Sequence, residues 1–206
     1  MILSGPVYEL DLFGNVLVGW ARKWIVLKEI GNEIADKIIE AHHYSGKATQ
    51  NRFLSMGVYY ENRLEGVIQL GYGIRPQIKD TWGLDVTPEN SREFDRMWLS
   101  DTCPKFSETI TLSCLKRFLR HKYPAIKNLL TYADGTVGNT GIIYKAGNYR
   151  YVGSVKGDFY ILPTGERVHP VSMYHRHKTR AWAFLQERYP GIKKADGKQH
   201  KFILSL

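Results

Sequence analysis

The chain has 206 residues, two cysteines and a formal net charge of +9. That length supports a substantial core, and with no internal repeat, low-complexity run or Ser/Gly/Pro-rich linker it predicts one compact domain and excludes a solenoid. Cys103 and Cys114 are too few for a disulfide framework or a cysteine zinc site, while Met1–Pro6 lacks a basic n-region and no apolar run reaches the length of a membrane span, so a cytoplasmic protein without a membrane partner is expected.

Asn32 to Ala41 sets Ile34, Ile38 and Ile39 at helical spacing behind Asn32 as N-cap, predicting an amphipathic helix that ends near His42-His43-Tyr44-Ser45-Gly46. Arg52 to Glu61 and Leu64 to Tyr72 read as two strands joined through Asn62-Arg63. Phe94 to Leu99 is another strand. Phe106 to His121 carries Phe106, Ile110, Cys114, Leu115, Phe118 and Leu119 on one stripe of a long helix that stops before Pro124. Leu129 to Ala133 reads as a short buried strand. Gly135, Gly138 and Gly141 then permit a sharp turn into a helix of about two turns, ended by Gly147 and Asn148. Strands over Arg150 to Val155 and Asp158 to Leu162 follow, and a helix spans Ala181 to Arg188. Helices alternating with strands predict an α/β (α+β) class, with a mixed central sheet flanked by helices and residues 163–206 as a basic extension of the same domain.

Several polar residues fall where chemistry is commonly found. His43 and Tyr44 follow a helix at a glycine-bounded turn, a place for poised side chains as well as structural ones. Asp134 stands at a strand exit, where ligand sites of open sheets gather and where aspartates also form turns. Tyr144 projects near the C-terminal end of the short helix, and a phenol titrating near about pH 10 suits a general acid; core packing is the other reading. Lys105 and Ser107 open the long helix, either against a phosphate or as a solvated lysine and a cap. From Pro163 onward nine Lys or Arg face three acids, which favours a polyanionic partner such as double-stranded DNA. Arg176, Lys178, Arg180, Lys194, Lys198 and Lys201 are the candidate phosphate contacts. Tyr174, Trp182, Phe184, Tyr189 and Phe202 interleave with them, for base stacking or for packing.

Four stretches taken together, Ala41-His-His43-Tyr44, Glu93-Phe-Asp-Arg96-Met-Trp-Leu-Ser-Asp101, Thr131-Tyr-Ala-Asp134 through Asn148-Tyr149, and Lys198-Gln-His-Lys-Phe202, resemble the Mom family of phage DNA-modification proteins, divergent members of the GNAT acyltransferase superfamily. The resemblance implies the GNAT fold, whose order of helix, hairpin, strand, helix, strand, helix, strand is the order read above, with a splayed strand pair admitting an acyl-carrying cofactor. It implies conversion of the exocyclic amine of adenine in duplex DNA to a carbamoylmethyl adduct that protects phage DNA from host restriction. Because that amine lies inside the Watson–Crick pair, the base must be flipped. His43, Tyr44, Arg96, Asp134 and Tyr144 fall on the family's positions. The resemblance assigns His43 and Asp134 to proton transfer or to an iron, Arg96 to a donor carbonyl or phosphate, and Tyr144 to protonation of the leaving group. Where GNAT enzymes carry a Gln/Arg-x-x-Gly-x-Gly/Ala loop for the pyrophosphate of coenzyme A, this chain has Asp101-Thr-Cys-Pro-Lys-Phe-Ser-Glu108, without glycine. Acetyl-coenzyme A and a glycine-derived or aminoacyl donor therefore both stand open. So do two other activities: an N-acetyltransferase for a protein or small-molecule amine, and a non-catalytic DNA-binding protein.

Overall fold

The computed structural model describes residues 7–10, 16–19, 25–73, 82–83, 85–157 and 159–206; Met1–Pro6 and Asp158 of the reading above lie outside them. The chain forms two compact units, one of Met1–Tyr132, Ile142–Val152 and Phe202–Leu206, the other of Ala133–Gly141 and Gly153–Lys201.

The first unit is built on a mixed sheet. β1 (Val7–Leu10), β2 (Val16–Gly19), β3 (Ile25–Glu29), β4 (Arg52–Tyr60), β5 (Arg63–Gly71) and β6 (Ser91–Leu99) pair antiparallel in chain order. β6 then pairs parallel with β7 (Asn128–Asp134), which requires a crossover, and α2 (Ser107–Lys122) supplies it. The sheet order continues through the ends of β12 (Lys198–Ser205) and β8 (Arg150–Lys156) that belong to this unit. A mixed sheet flanked by helices is thus present as expected. β1, β2, β3 and β12 are additions to the sequence reading.

Local chemistry explains the elements. Glu61 and Asn62 both take positive φ, 48° and 65°, which gives the tight turn between β4 and β5 a twist matching its strands. The turn therefore lies one residue earlier than Asn62-Arg63. α1 (Asn32–His42) buries Ala35 and Ile39 against Ala48 and Val67. Its N-cap is Gly31 rather than Asn32, whose Oδ1 instead accepts from Ser55 Oγ at 2.9 Å and ties the first turn to β4. α2 buries Leu112, Cys114, Leu115, Phe118 and Leu119, but Phe106 is 74% exposed at φ 71°, outside the buried stripe on which it was expected. α3 (Ile142–Ala146) is short, as read, and Asn148 turns the chain out of it at φ 63°.

The second unit has its own core. β9 (Tyr160–Ile161) lies between β10 (Arg167–Val168) and β11 (Lys193–Lys194), while α4 (Pro170–His177) and α5 (Trp182–Arg188) help bury Tyr160, Leu162, Val168, Met173, Leu185 and Ile192. α4, absent from the sequence reading, starts with Pro170 after His169, whose Nδ1 accepts from the Val171 amide at 3.2 Å. Among the described residues no helix is long and apolar enough to cross a membrane.

Candidate active site

β6 holds the site together through an irregularity. Its register with β5 runs Val67 to Trp98, Ile68 to Met97 and Gln69 to Arg96, and then Leu70 to Phe94, skipping Asp95. One extra residue opposite none is a β-bulge, and it inverts the alternation beyond it. Cross-strand partners share a face, so Arg96 lies with Gln69 while Phe94 lies with Leu70 on the other side. The parallel ladder between β6 and β7 joins Ser91–Glu93 to Asn128–Leu130 and goes no further among the described residues. Beyond it the strands part, with Thr131 Oγ1 donating to the Phe94 carbonyl at 2.9 Å. The family resemblance implied a splayed strand pair, and the short ladder between β6 and β7 is where this sheet could supply one.

On the Arg96 face stands the turn after α1. His43 caps the helix, its N–H donating to the Ile39 carbonyl at 2.9 Å. His43 Nδ1 accepts from the Ser45 N–H at 3.1 Å and lies 2.8 Å from Ser45 Oγ, which places the ring proton on Nε2. Burial, with the Arg96 charge adding to it, lowers the His43 pKa to about 4, so the ring is neutral near pH 7. The Tyr44 ring packs 4.3 Å from that of His43 and is 63% exposed. Arg96 Nε donates to the Lys47 carbonyl at 3.0 Å and Nη1 to the Asp95 carbonyl at 2.8 Å. Two of its donor groups are thus committed to backbone, and its first task is to hold this loop rather than a donor carbonyl.

Tyr144, for which core packing was the reading beside a general acid, is only 8% exposed. Its ring is boxed by Phe94, Tyr149 and Phe202, with centroids at 6.0, 5.5 and 5.6 Å. Ile142, Lys145 and Ala146 of this short helix are exposed, and Tyr144 is the residue it turns inward. Burial pushes the phenol up to about 12, with Thr131 and Arg96 opposing and the charges of Tyr44 and Asp95 adding. His43, Tyr44, Asp95, Arg96 and Tyr144 therefore act on one another electrostatically within the first unit. Asp95 was not singled out in the sequence. Burial raises its pKa to about 6 against the pull of Arg96. Tyr149 was also missed; its fully buried hydroxyl has no hydrogen-bond partner among the described residues.

Asp134 belongs to the second unit, and Tyr144 to the first. Its Oδ1 accepts from the Thr136 amide at 3.0 Å and from the Thr136 hydroxyl, and its Oδ2 from Arg167 Nη2 at 2.9 Å. The Arg167 guanidinium in turn covers the Phe159 ring at 4.2 Å and donates to Thr136 Oγ1. Asp134 thus caps the Gly135–Val137 turn, the turn-forming role that the sequence left open.

Other candidates divide. Ser107 is buried and its hydroxyl donates to the Pro104 carbonyl at 2.6 Å, so it does not face a phosphate; Lys105 is exposed. In the basic end Arg176 is spent on Glu166, with contacts of 2.6 and 3.3 Å. Lys178 terminates α4, Lys194 lies 5.0 Å over the Trp182 ring, Arg180 and Lys198 are exposed, and Lys201 is half-buried. Phe202 is core, and Trp182 and Tyr189 pack on the second unit's own core, leaving Tyr174 and Phe184 as the exposed aromatics of the five.

The iron expectation finds no support in the donor set. Asp134 is committed to Thr136 and Arg167 in the second unit, while His43, in the first, is held through Nδ1 by Ser45. Among the described residues no three His, Cys, Asp or Glu gather as a metal site would require.

Comparison with known proteins gives three findings. A model of the Mom protein family matches residues 24–206. The methylcarbamoylase Mom of Escherichia phage Mu is 32% identical over 157 residues, 76% of this chain and 65% of that relative, so the match spans just under two thirds of the relative's length. Among solved structures, an IAA acetyltransferase from Bacillus cereus superposes with a TM-score of 0.49 at 12% identity, over 88% of this chain and 99% of that one. A Bacillus subtilis acetyltransferase in complex with coenzyme A gives 0.44 at 14% identity, over 88% and 97%.

Proposed function

We propose, from the premise that the chain belongs to the Mom protein family, that it modifies the exocyclic amine of adenine in DNA to a carbamoylmethyl adduct and so shields phage DNA from restriction. The observation that carries this reading is the exposed Tyr44 ring beside an otherwise sheltered group of His43, Asp95, Arg96 and Tyr144. A flipped base needs an aromatic surface to stack on beside polar groups, and Tyr44 offers one.

In this reading the amine nitrogen bonds to the methylene carbon of a donor X–CH2–C(O)NH2, the bond from that carbon to the leaving group X breaks, and the nitrogen gives up a proton. The Asp95 carboxylate, with its raised affinity, accepts that proton. His43, neutral and with its proton on Nε2, donates a hydrogen bond to the donor's carbonyl oxygen. Tyr144 remains protonated at pH 7 and hands its proton to the leaving group as the bond to it breaks. Asp134 takes no step, because both oxygens are occupied. The exposed cations Arg180 and Lys198 hold phosphates. A donor that delivers this group must already carry the amide on the transferred carbon, because acetyl transfer from acetyl-coenzyme A would leave N-acetyladenine instead; label in the adduct from isotope-labelled glycine fed to expressing cells tests a glycine-derived skeleton.

Plasmid from cells expressing the protein should resist an endonuclease that reads adenine in its site. Complete digestion, equal to that of plasmid from non-expressing cells, contradicts the protective role.

A further inference from the structure

The loop that carries His43 and Tyr44 is tied to the sheet twice, by two residues that are themselves partners. Gln69 on β5 stands opposite Arg96 on β6. Arg96 Nε holds the Lys47 carbonyl at 3.0 Å, and Gln69 Oε1 accepts from the Thr49 amide at 2.9 Å. Gln69 is fully buried, and its other end is used as well: Nε2 donates to Asp36 Oδ1 at 2.7 Å, and Asp36 also pairs with Arg52. The chain of contacts thus runs from Arg52 on β4 through Asp36 in α1 and Gln69 on β5 to the end of the loop. Ala48, between the two tied residues, is buried against Ala35, Ile39 and Val67, and His42 stacks on Trp98 at 4.5 Å. Every anchor on this side lies on α1 or the sheet, whereas Tyr44 itself projects to solvent.

We propose that Gln69 is a positioning residue: it fixes the Thr49 amide beside the Arg96 anchor, and the two-point clamp sets where Tyr44 and His43 stand for an incoming base. The proposal rests on the adenine-modifying reading for its consequence, and on hydrogen bonds alone for its mechanism. A buried amide that both accepts from a loop and donates to a helix carboxylate has a fixed orientation, because reversing it would set two donors and two acceptors against each other. A glutamine suits this place where a leucine would hold the volume but release the loop.

The test combines hydrogen exchange with adduct formation. Gln69→Met keeps the bulk and removes both bonds. Gln69→Glu with Asp36→Asn keeps an acceptor for the Thr49 amide and reverses the donor and acceptor toward α1. Ser55→Ala serves as a control that loosens α1 at its other end. We expect Gln69→Met to speed exchange in residues 43–50 and to cut adduct yield by about 10- to 100-fold, the scale of a small misplacement at a reacting centre. The double variant should restore both, and Ser55→Ala should leave exchange at 43–50 as in the unaltered protein. Folded Gln69→Met with unchanged exchange at 43–50, or with full adduct yield, overturns the proposal. If Gln69→Met does not fold, the double variant decides: slow exchange at 43–50 supports the clamp, and fast exchange in a folded protein overturns it. Absence of adduct from the unaltered protein removes the adenine-modifying reading and leaves the exchange result to judge the clamp.

Discussion

Phe94 and Arg96 lie two residues apart on β6 and face opposite sides of the sheet, because the register with β5 passes between them without pairing Asp95. Phe94 packs edge-on against Tyr144, and Arg96 holds the loop after His43. A regular strand would turn both toward one face. The bulge lets a single strand contact both the aromatic cluster around Tyr144 and the anchored loop after His43, with Asp95 between the two residues that do so.

Tyr144→Phe removes one hydroxyl from a filled aromatic box. The ring contacts with Phe94, Tyr149 and Phe202 remain, so the melting temperature should change by no more than a few degrees. Loss of a general acid should lower adduct formation by about 10²- to 10⁴-fold. Nucleoside analysis of DNA from cells producing the variant checks this, and retained modification removes Tyr144 from the chemistry.

Asp95 and His43 should pull the pH dependence of stability in opposite directions. The Asp95 pKa is raised to about 6, so its contribution is present at low pH and is lost as pH rises through 6. The His43 pKa is lowered to about 4, so its contribution is present above its unfolded value and is lost as pH falls through 4. Between these values the two offset each other. Urea unfolding across this window should show Asp95→Asn gaining stability with rising pH more steeply than the unaltered protein, and His43→Gln losing it. Parallel profiles for all three proteins would contradict the assignment.

Asp134 and Arg167 should behave as one structural unit. Removing either leaves a sheltered group with unmet hydrogen bonds, at a cost of about 2 kcal/mol. We expect Asp134→Asn and Arg167→Met to lose similar stability, and to lose adduct only as their folded fraction falls. A well-folded Asp134→Asn protein without activity, beside a fully active Arg167→Met, would return Asp134 to the chemistry.

Phe106 holds a left-handed backbone conformation that a bulky side chain adopts at a cost, while its ring is largely in solvent. Phe106→Gly should therefore stabilise the protein by about 1 kcal/mol in urea unfolding, the relieved strain exceeding the flexibility gained by the unfolded chain. A loss of stability would mean that the ring makes contacts which outweigh the strain.

The hairpin, the two long helices and the strand before Asp134 were legible because apolar spacing, a turn signal and Pro124 mark them directly. The C-terminal strand was not: Lys198-Gln-His-Lys reads as a basic tail, and only Phe202 and the two residues after it carry the apolar signal that buries its end. Likewise His43, Tyr44, Arg96 and Tyr144 could be picked out as residues, but what each does depends on the skipped register at Asp95, and alternation along Glu93 to Leu99 does not reveal a bulge. Gln69 sits unmarked in an apolar strand. Its role exists only through Thr49 and Asp36, which lie 20 and 33 residues away along the chain. In the basic end, sequence supplied the charge but could not show that Glu166 neutralises Arg176 or that Trp182 is held in a core.

Adenine modification is read out by mass spectrometry of nucleosides from DNA of expressing cells. An adenine nucleoside bearing a carbamoylmethyl group is expected there, absent from non-expressing cells and strongly reduced with Tyr144→Phe. Adenine that is entirely unmodified in DNA from cells producing the folded, unaltered protein would contradict it.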